Sequence, residues 1–147
     1  MIHKRFILCF MAIVFAGVMT SCEDLLGKQT PIKLDNSELT FTSVGGEQVV
    51  TAVNYNSWWI SGAYESKQSV NGLSMSINYI YPTSTDGEDA YTYDILDGGW
   101  YYVVVPEKGE SNKAIITVCK NDTSRPRSAT ITMQNNNAFV NINIQQK

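Results

Sequence analysis

From Leu39 onward, apolar and polar residues alternate with a period of two over short stretches separated by turn-forming residues. That period puts successive side chains on opposite faces of an extended chain, so each stretch reads as a half-buried β-strand. "LTFT" (39–42) alternates, "GGEQ" (45–48) supplies a turn, and "VVTAV" (49–53) and "WWIS" (58–61) follow. "LSMSINYIY" (73–81) puts Leu73, Met75, Ile77, Tyr79 and Tyr81 on one face. "PTSTDGED" (82–89) is a loop, and "AYTYDIL" (90–96) puts Tyr91, Tyr93 and Ile95 on one face. These last two runs are expected to pair as a hairpin. "WYYVVVP" (100–106), "AIITVC" (114–119), "SATITM" (128–133) and "FVNINIQ" (139–145) complete the set. Roughly nine short strands without a helical period predict an antiparallel β-sandwich.

Parity then predicts the core. Leu39, Phe41, Val50, Ala52, Trp58, Ile60, Val103, Val105, Ala114, Ile116, Val118, Ala129, Ile131, Met133, Val140, Ile142 and Ile144 fall on inward positions. Trp58 faces in and its neighbour Trp59 faces out. Val49, Val53 and Ile115 are also apolar and outward, which predicts an unusually apolar outer face.

The start of the chain has a different pattern. A short basic segment, "MIHKR", precedes an apolar run of 14 residues, "FILCFMAIVFAGVM". The run is short for a membrane span and suits the core of a secretory signal. It ends in "MTSC" (19–22), which resembles a bacterial lipobox with Met19 at the position usually held by Leu, Val or Ile. The expectation is a signal peptide over 1–21, acylation of Cys22, and a lipidated tether over 22–36. Glu23 and Asp24 resemble the acidic signals that send lipoproteins of Bacteroidetes-type bacteria to the cell surface; a solvated start of the tether is the alternative. The chain is expected at the outer membrane, lipid-anchored and facing either the periplasm or the exterior.

Charge and composition narrow the chemistry. The full chain has 11 Lys+Arg and 14 Asp+Glu. Removing Lys4 and Arg5 with the signal leaves nine against 14, a net charge of −5. No basic patch is present, so nucleic acid is excluded as an expected partner. The single histidine, His3, leaves with the signal. The remaining chain cannot build Ser-His-Asp or Cys-His catalysis or a His-ligated metal site. "DGED" (86–89) lacks the spacing of a calcium loop and reads as solvated. A sandwich of this size offers no obvious cleft for the paired carboxylates of a glycosidase. No enzyme activity, cofactor or metal is expected. Cys9 leaves with the signal and Cys22 is acylated, so Cys119 has no partner for a disulfide within the chain.

Five segments occur in one order over most of residues 38–146: "LTFTSVGGEQVVTAV", "NSWWIS", "VVVPEKGESNKAIITV", "NDTSRPRSATITM" and "VNINIQQ". The set resembles the BACON domain (Bacteroidetes-associated carbohydrate-binding often N-terminal), an immunoglobulin-like β-sandwich. The resemblance implies such a sandwich over residues 37–147 with an inserted β-hairpin at about 64–98. It implies structural roles for Arg127 and Gln146 at strand ends. The family's second tryptophan position falls on Tyr101 with Trp100 beside it, so either can be the core residue.

The family name implies carbohydrate binding. Sugar rings stack their C–H faces on Trp and Tyr, and polar neighbours bind hydroxyls. The chain has eight tyrosines and three tryptophans. Trp59, Tyr79, Tyr81, Tyr91, Tyr93 and Trp100 are the candidate ligand-binding residues. Two readings stay open. In one, these aromatics form a glycan platform. In the other, the 64–98 segment folds over Trp59, and the domain is a spacer or protein-interaction module with no sugar binding.

Overall fold

The computed structural model describes residues 29–68, 75–86 and 93–147. The signal segment, Cys22, Leu73 and Tyr91 lie outside the described residues. The described chain forms nine strands: β1 (Glu38–Phe41), β2 (Gly46–Thr51), β3 (Trp59–Gln68), β4 (Met75–Ile80), β5 (Ile95–Asp97), β6 (Tyr101–Val104), β7 (Lys113–Val118), β8 (Arg127–Asn135) and β9 (Ala138–Gln146). Among the described residues there is one short 3-10 turn, Glu107–Gly109, and no α-helix. The strands build a five-stranded sheet, ordered β1-β9-β8-β3-β4, and a four-stranded sheet, ordered β2-β7-β6-β5. The fold is therefore all-β and sandwich-like.

One core lies between the sheets. Alternation drives it: Ala129, Ile131 and Met133 of β8 pair in register with Ile144, Ile142 and Val140 of β9. Val50 and Ala114, and then Ile116 and Val103, do the same in the other sheet. All of the expected core residues are buried except Val140, which is half-buried against the rest. Trp58 is 0% exposed. It precedes β3 and drops into the core before the strand begins.

The turn before β2 needs its glycine. Gly45 has φ +81, and a Cβ there would stand 2.2 Å from the Val118 carbonyl oxygen. Only a residue without a side chain accepts both the left-handed backbone and that approach.

The 64–98 segment departs from the expected hairpin. β4 pairs antiparallel with β3, from Ala63–Ile80 to Gln68–Met75, and β5 pairs with β6. The segment thus adds one strand to the edge of each sheet. Loop length explains the choice. Six residues separate β3 from β4 and three separate β5 from β6, whereas fourteen separate β4 from β5. Shorter loops lose less chain entropy on closing, and consecutive strands pair by default.

Backbone hydrogen bonds then stitch the two sheets along this side. The Ile60 N–H donates to the Tyr93 carbonyl, and the Val105 N–H donates to the Asp94 carbonyl. Thr83 forms an isolated bridge with Ile95. The buried Asp94 carboxylate holds the intervening turn by accepting bonds from the Thr85 N–H and hydroxyl, 2.9 and 2.8 Å.

Candidate functional site

The outward positions of the five-stranded sheet form rows across β3, β8 and β9. Trp59, Gln134 and Phe139 make the first row. Gly62, Thr132 and Asn141 make the second, and Tyr64, Thr130 and Asn143 the third. A bulge between Ile60 and Gly62 lets this happen. It absorbs one residue, so Ile60 and Ala63 both face the core although they are an odd number apart. Beyond β3, Tyr79 of β4 sits beside Tyr64. Rows one and three are about 13 Å apart along the strands.

Tyr79 and Tyr81 are 48% and 77% exposed. Their rings meet edge to face, with centroids 4.8 Å apart and planes at 64°. They form a step instead of a flat surface. The Tyr79 ring leans over Gly62, where a Cβ would lie 2.3 Å from its hydroxyl oxygen. That hydroxyl donates a long bond, 3.4 Å, to the Ser61 carbonyl. Trp59 is half-buried. The described strands of the 64–98 segment, β4 and β5, extend the sheet edges.

Polar rungs lie beside the aromatics. The Thr130 hydroxyl donates to Asn143 Oδ1 at 2.9 Å, and the Thr132 hydroxyl to Asn141 Oδ1 at 3.0 Å. Asn143 Nδ2 donates to Glu38 Oε1 at 2.6 Å. This face therefore offers amide and hydroxyl groups within reach of exposed ring faces. Such a surface can stack a sugar ring and bind its hydroxyls.

The other candidate residues fall elsewhere. Tyr93 is 38% exposed, and its carbonyl is the acceptor at the β3 edge beside Trp59. Trp100 is not with this group. It precedes β6, half-buried against the core, and its indole N–H donates to Glu65. The Arg127 guanidinium lies 4.5 Å over its ring. Tyr101 takes the core position, buried, and meets Trp100 edge to face at 4.7 Å. Its hydroxyl and the Trp58 indole N–H have no hydrogen-bond partner among the described residues. Burial, with the Glu65 carboxylate as a lesser cause, pushes the Tyr101 phenol up from its ordinary value.

Arg127 and Gln146 behave as the strand-end reading expects. Arg127 Nε donates to Gln146 Oε1 at 2.7 Å, and Arg127 also reaches the carbonyls of Cys119 and Lys120. Gln146 Nε2 donates to the carbonyls of Thr42 and Cys119.

The single apolar outer face inferred from parity is two faces. Trp59 belongs to the five-stranded sheet, while Val49 and Ile115 belong to the four-stranded one. There Val49, Ile115, Val104 and Ile95 stand in one cross-strand row. Parity gives inward or outward within a strand, but it does not say which sheet the strand joins. Two residues of the candidate surface, Tyr64 and Phe139, are absent from the set expected from the sequence. Phe139 is legible there, since it precedes the inward Val140. Tyr64 is not, because the bulge shifts its parity.

The chain is similar to a solved NMR structure of a protein from Bacteroides thetaiotaomicron, with 26% identity and a TM-score of 0.55. The likeness covers 84% of this chain and 92% of that one. No protein-family model and no curated protein matches the chain.

Proposed function

We propose that the protein is a non-catalytic, lipid-anchored module of the BACON type that binds carbohydrate on the outer face of its five-stranded sheet. Cys22 carries the acyl anchor, and Trp59, Tyr64, Tyr79 and Tyr81 contact the sugar. The observation that carries this reading is the exposed Tyr79–Tyr81 step on the sheet that also carries Trp59 and the Thr–Asn rungs. An immunoglobulin-like arrangement is supported by the two packed sheets and by β1, which runs parallel to β9.

The test is a glycan-array or affinity-gel screen of the wild type, Trp59→Ala and Tyr79→Ala, with thermal melts of each. Stacking on an aromatic ring is worth about 1–3 kcal/mol for a nucleic-acid base, and a sugar should gain no more. Losing one ring should weaken binding about five- to a hundredfold, with the fold intact. A wild type that retains no glycan sinks this reading.

The second reading is a spacer or protein-interaction module without sugar binding. It is favoured by the aliphatic row Val49–Ile115–Val104–Ile95 on the opposite face. A cross-strand stripe of that kind suits contact with another protein.

A further inference from the structure

The described chain begins at Gln29, and that residue is clamped. Its side-chain N–H donates to the Asn135 carbonyl at 3.0 Å, and its Oε1 accepts from the Asn137 N–H at 2.9 Å. Asn135 ends β8, and Asn137 lies in the turn before β9. The next residues are held as well. The Tyr55 hydroxyl donates to the Thr30 carbonyl, Asn54 Nδ2 to the Pro31 carbonyl, and the Lys33 N–H to Asn54 Oδ1. Ile32 is buried. The chain therefore leaves the tether at a fixed point, between the β8–β9 turn and the 53–55 turn.

Gln29 lies seven residues after Cys22. Fully extended, that length of chain reaches about 25 Å at most. The nine-residue strands β8 and β9 run about 30 Å from this pole to the far one. An anchor on Cys22 is thus too short to turn the far pole toward the bilayer.

Two exposed apolar side chains flank the exit point. Phe139, 56% exposed, follows the β8–β9 turn, two residues after Asn137. Val53, 60% exposed, donates its N–H to the Lys33 carbonyl on the other side of the incoming chain. An exposed apolar side chain gains by entering the headgroup region, and acyl chains nearby supply the proximity at no further entropic cost.

We propose that this pole seats on the lipid surface, with Phe139 and Val53 on either side of the tether touching the bilayer. The proposal rests on the lipid-anchor reading of Cys22. Seating fixes the orientation of the strands. It turns the Tyr79–Tyr81 step sideways, parallel to the membrane normal, and points the far pole, with Val44 at its tip, into solvent.

The test places an environment-sensitive fluorescent amino acid at position 139, 53 or 44, on vesicles of phosphatidylethanolamine and phosphatidylglycerol. One arm uses the protein acylated in cells. The other uses the unacylated mature chain with Cys119→Ser, coupled through Cys22 to a maleimide phospholipid, so the tether length is the same. The expected result in both arms is a blue shift and several-fold protection from aqueous iodide at 139 and 53, with no change at 44. Labels at 139 and 53 as accessible as the one at 44 in the coupled arm overturn the seating. A mature chain from cells without acyl mass overturns the anchor reading instead, and the coupled arm still decides the seating.

Discussion

The hydroxyl of Tyr79 occupies the space that a side chain at Gly62 would need, so one missing methyl group sets the position of an exposed aromatic ring. A Cβ at Gly62 would lie 2.3 Å from the phenol oxygen and 2.7 Å from the ring carbon that bears it. The ring belongs to an edge strand and is 48% exposed, so it can swing away.

Gly62→Ala is expected to lower both stability and binding. The displaced ring is the far end of a solvent-exposed side chain and yields cheaply, but Gly62 has φ +159, so a side chain there adds about 1–3 kcal/mol of backbone strain. The Tyr79–Tyr81 step should also be lost, and glycan retention should fall as far as in Tyr79→Ala. Chemical denaturation and the affinity-gel screen read the two effects. Unchanged retention in Gly62→Ala would separate the step from the ligand.

Arg127 is expected to be irreplaceable by lysine. Its guanidinium serves Gln146 Oε1 and the carbonyls of Cys119 and Lys120 while lying over Trp100. Hydrogen bonds from a charged donor contribute about 1.5–3 kcal/mol, and the stacked cation adds about 0.5–1. Arg127→Ala should cost at least about 2 kcal/mol, and Arg127→Lys nearly as much, because an ammonium cannot form the fork. Urea melts of both variants check this; full rescue by lysine would leave charge, not geometry, as the cause.

The core is legible in the sequence because each strand is buried on one face only, which writes a two-residue period into the chain. Trp58, Ile131 and Ile142 are found that way. Arg127 and Gln146 are placed through the resemblance. What is not legible depends on partner choice. β4 reads as a strand from its alternation, but nothing in "MSINYI" says whether β3 or β5 is its neighbour. Trp100 reads as a ligand residue because aromatic character is visible in a sequence and its Glu65 partner, 35 residues away, is not. The bulge at Ile60–Gly62 leaves no signature beyond a glycine, so Tyr64 escapes the period-two reading.

The tryptophan pair gives a direct test of register. Trp58 is fully buried and Trp59 half-buried on the opposite side. Trp58→Ala should cost about 3–5 kcal/mol, the usual effect of truncating a core aromatic. Trp59→Ala should cost no more than about half the lower bound of that range. Denaturant midpoints for the two variants measure the difference. A reversed order would mean that β3 presents its other face to the core.

Tyr101 predicts an alkaline limit to stability. Its phenol is buried without a hydrogen-bond partner among the described residues, and burial raises its pKa, so the folded protein resists ionising it. In the unfolded chain the phenol ionises near its ordinary value of 10.0. Above that pH the unfolded state binds fewer protons than the folded state, so stability must fall as pH rises. Below it both states are protonated, and the group adds no pH dependence. Tyr101→Phe should remove Tyr101's share of the loss above about pH 10. It should also stabilise the protein at neutral pH by about 1 kcal/mol, since it deletes an unpaired buried hydroxyl without opening a cavity. Denaturant midpoints of wild type and Tyr101→Phe at pH 7 and pH 11 measure both effects. Parallel losses in the two proteins would show that the phenol ionises freely in the folded state.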